Sequence, residues 1–176
     1  LLPRTLRDLF LQECESLTDK FIEHLPPDLE ALHLDSAFHL SDVACQLLPR
    51  GLRTFVANKT SKITDAGIVA LPRFLRDLRL ERTLHVTDNG VPLLPRGLTR
   101  LFLDAASSIT DNAAIHFPRG LTSLDLYAAK NVTEKCAPQL PPLLEYYRCY
   151  TGSSAAKSIL YKNRTQVKEL LANPSN

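Results

Sequence analysis

Leu71-Pro72-Arg73-Phe74-Leu75 is the stretch from which the rest of this sequence can be read. Its proline is one of seven set at a fixed step of twenty-three residues: Pro3, Pro26, Pro49, Pro72, Pro95, Pro118 and Pro141. Three residues after each comes a leucine: Leu6, Leu29, Leu52, Leu75, Leu98, Leu121 and Leu144. A constant period in this range marks a stack of structural units, none of which can bury its apolar face alone.

Moving outward from the proline, apolar residues recur six and eight places on, as in Leu78-Arg79-Leu80. A spacing of two puts both on one face of a strand. Fourteen places on, an aliphatic residue is followed by a hydroxyl and then a carboxylate, for example Ile63-Thr64-Asp65. The hydroxyl can cap a helix start, and the carboxylate suits the positive end of its dipole. Apolar residues three and six places after the carboxylate, such as Ile68 and Leu71, predict about two helical turns with one buried side. The next proline ends the helix. Gly51, Gly97 and Gly120 are expected to ease the turn into the next strand. Successive units run in the same sense, so their strands must pair in parallel. Seven strands give a sheet about 29 Å long.

The pattern Leu-x-x-Leu-x-Leu followed by Ile-Thr-Asp-x-Gly-Ile resembles the leucine-rich repeat. Residues 6–22 come closest to its cysteine-containing subclass, found in F-box proteins, with Cys14 at the naming position. That position is Ala37, Thr60, Thr83, Ala106 and Ala129 elsewhere, and a proline turn replaces the usual last part of the helix. The resemblance implies an α/β solenoid, with one parallel strand per unit on a concave face and short helices on the convex face. It also implies that a partner meets the strand face.

Residues 1–150 are assigned to this solenoid and residues 151–176 to a helical cap. After a break at Thr151-Gly152-Ser153-Ser154, Ala156, Ile159 and Leu160 are expected on one helical face, and Thr165 is expected to cap a second helix carrying Val167, Leu170 and Leu171. The sequence opens inside a repeat, which suggests a further segment upstream.

Composition narrows the function. A net charge of +2 gives no bulk drive toward nucleic acid or anionic membrane, and no apolar run reaches the roughly 18 residues of a membrane helix. Cys14, Cys45, Cys136 and Cys149 lack metal-ligand spacing and read as buried apolar residues, which favours a reducing, cytoplasmic setting. Sequons at Asn58, Asn131 and Asn163 keep secretion open. The five histidines share no plausible metal site, and there is no phosphate loop or nucleophile with a base. Neither enzyme activity nor a cofactor is expected. The Arg4, Arg50, Arg73, Arg96 and Arg119 ladder follows helix ends, where cations settle exposed carbonyls.

The remaining candidates are the variable outward strand positions. Their centre is basic and aromatic, a mixture common at protein–protein hot spots: Arg53, Lys59, Arg76, Arg79, Arg82, Arg100, Phe102 and Tyr127. The expectation is a protein-interaction module for a protein or peptide partner with an acidic surface. A small-molecule substrate and a nucleic acid are not expected. The alternatives are the substrate-recognition part of an F-box-type ubiquitin-ligase adaptor, a pathogen effector or a secreted recognition protein.

Overall fold

The structure, a computed structural model, describes residues 2–82, 84–151, 157–161, 165 and 169. Seven strands follow one per unit: β1 (Asp8–Leu11), β2 (Ala31–Leu34), β3 (Thr54–Ala57), β4 (Asp77–Glu81), β5 (Arg100–Asp104), β6 (Ser123–Asp125) and β7 (Tyr146–Thr151). All pair in parallel, in sequence order, and the register step is the repeat itself: Leu9 faces Leu32, Leu32 faces Phe55, and Phe55 faces Leu78. The inward residues form the core expected of them. Leu29, Leu52, Leu75, Leu98 and Leu121 are fully buried, as are Phe55, Leu78, Leu101 and Leu124. Cys45, Cys136 and Cys149 are buried within this core, and burial pushes the Cys45 and Cys136 thiols up to about 12.

On leaving the strand the chain turns through a residue of positive φ, ten places after each proline. These are Glu13, Ser36, Lys59, Arg82, Ala105 and Ala128, with φ between 54° and 63°. None is glycine, although this region costs other residues about 1–2 kcal/mol. Gly51, Gly97 and Gly120 do not have positive φ, so the turn into each strand does not draw on their left-handed freedom.

The helices are shorter than the sequence suggests. Three are α-helical, α1 (Asp19–Ile22), α2 (Asp42–Leu47) and α3 (Asp65–Ala70), and the later units instead form 3-10 helices at Val91–Leu93, Asp111–His116 and Glu134–Gln139. Only about six residues separate the cap from the proline turn. Pro92 and Pro138 remove donors that an α-helix needs.

The hydroxyl–carboxylate pair has a second job that joins units. Ser41, Thr64, Thr87, Thr110 and Thr133 each accept the N–H two residues on, which is the expected cap. The carboxylate, however, accepts both the N–H and the O–H of the next unit's cap. Asp19 binds Ser41 this way, Asp42 binds Thr64, Asp65 binds Thr87, Asp88 binds Thr110 and Asp111 binds Thr133, all at 2.6–2.9 Å. The dipole explains where the carboxylate sits; these bonds explain why it recurs.

At the far end, residues 157–161 are not helical. They form β8 (Lys157–Tyr161), antiparallel to β7, with Cys149 opposite Ile159. The last parallel strand leaves a row of backbone donors and acceptors unpaired, and a returning strand satisfies them. Thr165 and Glu169 are helical, while Ala156, Val167, Leu170 and Leu171 lie outside the described residues. Thr60, the hydroxyl of the Asn58 sequon, is fully buried and bonds the Ala57 carbonyl at 3.2 Å, so it serves the fold. No helix among the described residues is long and apolar enough to cross a membrane.

Candidate protein-binding face

The parallel register lines up every outward residue seven places after a proline. Phe10, His33, Val56, Arg79, Phe102, Asp125 and Arg148 form one continuous file across the sheet. Beside it, over β4 to β7, runs a second file of Asp77, Arg100, Ser123 and Tyr146.

Two carboxylates in these files are buried, Asp77 and Asp125, each only 2% exposed. A carboxylate withdrawn from water needs a matched cation and bonds to its lone pairs. Arg79 grips Asp77 with two bonds, Nε to Oδ1 at 3.0 Å and Nη2 to Oδ2 at 2.9 Å. Arg100 adds Nε to Oδ2 at 2.9 Å from the next strand. Asp125 accepts Arg148 Nε at 2.9 Å, Arg148 Nη2 at 2.7 Å, the Tyr146 hydroxyl at 3.0 Å and the Tyr127 N–H at 3.0 Å. Two of these guanidinium groups also lie over a ring, Arg79 4.5 Å from the centre of Phe102 and Arg148 4.5 Å from that of Tyr127. Such stacking suits arginine's planar, weakly hydrated charge.

The electrostatics follow this geometry. The bond to Asp77 raises the Arg79 pKa despite partial burial. Burial alone would lower that of Arg148, but its bond to Asp125 and that residue's charge outweigh it. Burial, and then the bond to Asp125, raise the Tyr146 hydroxyl. Asp104 differs. Its Oδ1 is buried without a hydrogen-bond partner among the described residues. Burial and then the charge of Asp125 push its carboxyl above the usual 3.8. At the other end Phe10, 64% exposed, stacks on His33 with ring centres 4.2 Å apart. Burial, followed by the charge of Arg79, lowers the His33 pKa below 6.5, so that end of the file is neutral at pH 7.

The structure groups some candidate residues and separates others. Arg79 and Arg100 converge on Asp77, with Phe102 against the Arg79 guanidinium, while Tyr127 belongs to the Asp125 clamp. Arg82 is exposed at the strand exit, its N–H bonded to the Asp104 carbonyl. Arg53 sits toward the strand entrance in a loose 3.6 Å pair with Glu30. Lys59 bonds Ser36 Oγ at 3.1 Å and lies over Phe38. Arg76 is turned to the Gly97 carbonyl at 2.8 Å, away from the central cluster.

No family model matches the chain, and no curated protein does. Two solved structures are similar in shape. One is a chain from the Rad7 and Elc1 complex in yeast, at TM-score 0.61 and 22% identity over 82% of this chain and 43% of that one. The other is LegL7, a leucine-rich repeat-containing protein from Legionella pneumophila, at TM-score 0.50 and 15% identity over 97% of this chain and 61% of that one. The chain thus spans less than half of the first structure and under two thirds of the second. The fold is a leucine-rich repeat solenoid.

On this leucine-rich repeat face, inspection of single units misses the buried aspartates, Arg148 and Tyr146. The signal lies between units. Asp77 and Arg100, like Asp125 and Arg148, are twenty-three residues apart and therefore neighbours across two strands. Charge pairs at the repeat distance, searched for as such, would have found both clamps.

Proposed function

We propose that this chain is a non-enzymatic recognition module that binds a protein partner on the outer strand face, centred on the Asp77 and Asp125 clamps. The observation that carries this reading is the burial of two carboxylates on a face that does not need them. At the same positions β2 and β3 use Ala31, Thr54, His33 and Val56 and form the same sheet, and the Asp8 that β1 carries at the Asp77 position is exposed. The clamps hold arginine and aromatic side chains in fixed positions before any partner arrives, which lowers the ordering cost of binding. Arg53, Lys59 and Arg82 stand outside the clamps and give an acidic partner its steering charge.

Arg79 is a poor residue for the test. Removing it strips two bonds from a buried carboxylate, at a cost of about 3–5 kcal/mol. Arg82→Glu with Tyr127→Ala spares Asp77. Retention of a partner from the native source by the wild-type chain, with about tenfold weaker binding by the double variant, is expected. Equal retention by both, at equal melting temperature, rejects the strand face. The narrower adaptor reading rests on the resemblance of residues 6–22 and on likeness to a chain of a multiprotein complex. An F-box encoded upstream of Leu1 would support it.

A further inference from the structure

A second surface lies at the rim where each helix ends and each proline turns into the next strand. In the first two units this rim is mainly polar, and it becomes apolar where the third unit meets the fourth. Phe74 is 67% exposed, Val69 62% and Leu93 47%. At the position of Phe74 earlier units carry Thr5, Asp28 and Gly51, and later ones Gly97, Gly120 and Leu143. At the position of Val69 the first two units carry Glu23 and Gln46, and the later ones Pro92, Ile115 and Pro138. Ile115, 54% exposed, and Leu143, 47% exposed, are apolar at these positions in later units, but Phe74, Val69 and Leu93 line two adjoining hollows, and core packing does not require them because all three are exposed.

Two hollows of about 480 Å³ adjoin here and share Val69, Leu71 and Arg73. Phe74 and Arg50 line one, and Leu93 and Arg96 line the other; neither has a lining carboxylate. The arginine ladder divides at this point. Arg50 donates to the carbonyls of Gln46 and Ala70, and Arg119 to those of Gln139 and Leu140, as helix-end cations should. Arg73 and Arg96, between them, make no hydrogen bond or ion pair with any described residue. Two uncommitted guanidinium groups, one repeat apart, therefore flank an exposed phenylalanine and two aliphatic side chains.

We propose that this rim is a second docking site, separate from the strand face, for an extended acidic peptide. An apolar side chain of that peptide packs on Phe74 and Val69 while its carboxylates pair with Arg73 and Arg96. The bidentate fit of guanidinium to carboxylate supplies the charge recognition. The aliphatic Val69 and Leu93 beside Phe74 favour an apolar peptide side chain over a stacked base, which takes an aromatic platform. The patch is only three side chains wide, which suits a peptide better than a bilayer.

The test is a random dodecamer phage library panned on the wild-type chain, with counter-selection on Arg73→Glu/Arg96→Glu and on Phe74→Gly. Glycine is what the flanking later units carry, so the last variant keeps the fold; melting curves check both. Clones that prefer the wild type and are enriched in acidic residues around an apolar anchor are expected. As free peptides they should bind about tenfold more weakly to either variant, and unchanged to Arg82→Glu/Tyr127→Ala. Failure to recover clones that discriminate, or recovery without acidic enrichment, overturns the proposal. So does binding that is lost with the arginines but kept in Phe74→Gly, which would mark a general anion site open to phosphate headgroups or nucleic acid. Loss on changing Arg82 and Tyr127 alone would move the peptide to the strand face, leaving the earlier reading standing and this one not.

Discussion

Asp104 holds its Oδ1 buried without a hydrogen-bond partner among the described residues, close to the charges of Asp125 and Arg82. An unsatisfied acceptor on the proposed binding face is one that a partner's donor can relieve. The sign of its effect on stability follows from the pKa. Because burial raises the folded-state value above the usual 3.8, ionised Asp104 subtracts stability at neutral pH. That loss is relieved as pH falls through the folded-state pKa, and it is gone below 3.8. Asp104→Asn should therefore melt about 2 °C higher than wild type at pH 7, with the gap closing toward pH 4. Calorimetry at both pH values decides it; an equal or lower melting temperature at pH 7 removes the burial argument. At this scale the sequence was only partly legible. Outward position could be read from spacing, but the burial of Asp77 or Asp125 depends on which guanidinium the neighbouring unit brings over it.

Among the elements, the bonds from each carboxylate to the next unit's cap are the most regular polar feature of the chain. Asp88→Ala removes two charge-assisted bonds to Thr110 and should cost about 1.5–3 kcal/mol. Asp88→Asn keeps an acceptor for the N–H and should fall between. Urea titration of the three chains gives the order, and an alanine variant as stable as wild type would show that the dipole alone explains the carboxylate. The strand and helix starts were readable because period and capping are local. The 3-10 character of the later helices and the antiparallel β8 were not. In two of the three helices the first depends on Pro92 and Pro138 acting in a segment with no length to spare; Asp111–His116 is 3-10 without a proline. The second depends on an unpaired edge that exists only once β7 has joined the sheet.

For the whole molecule, stability should follow position along the stack. Leu9 in the first unit is half-buried and Leu78 in the fourth fully so, although both are the sixth residue after a proline. Leu78→Ala should lose about 2–5 kcal/mol, while Leu9→Ala, with less surface to give up, should lose about 1 kcal/mol. Equal losses would mean that the stack does not distribute its stability by neighbour contact. The fold was legible at this scale because a single number, the period, fixes sheet order, register and core together.

The bonds between a carboxylate and the next cap make each unit a cassette with an outgoing and an incoming connector of the same kind. Copying residues 26–48 in tandem would create no novel junction, since the duplicated Asp42 would meet a Ser41 as Asp19 already does. The array would grow by one strand spacing, about 4.8 Å. The Asp77 and Asp125 clamps lie downstream of such an insertion and would move as a block, still intact, while Phe10 and the Arg79 cluster drew apart. The repeat thus acts as a ruler whose divisions can be added one at a time, and heredity could have set the distance between two contact points in whole steps without redesigning either.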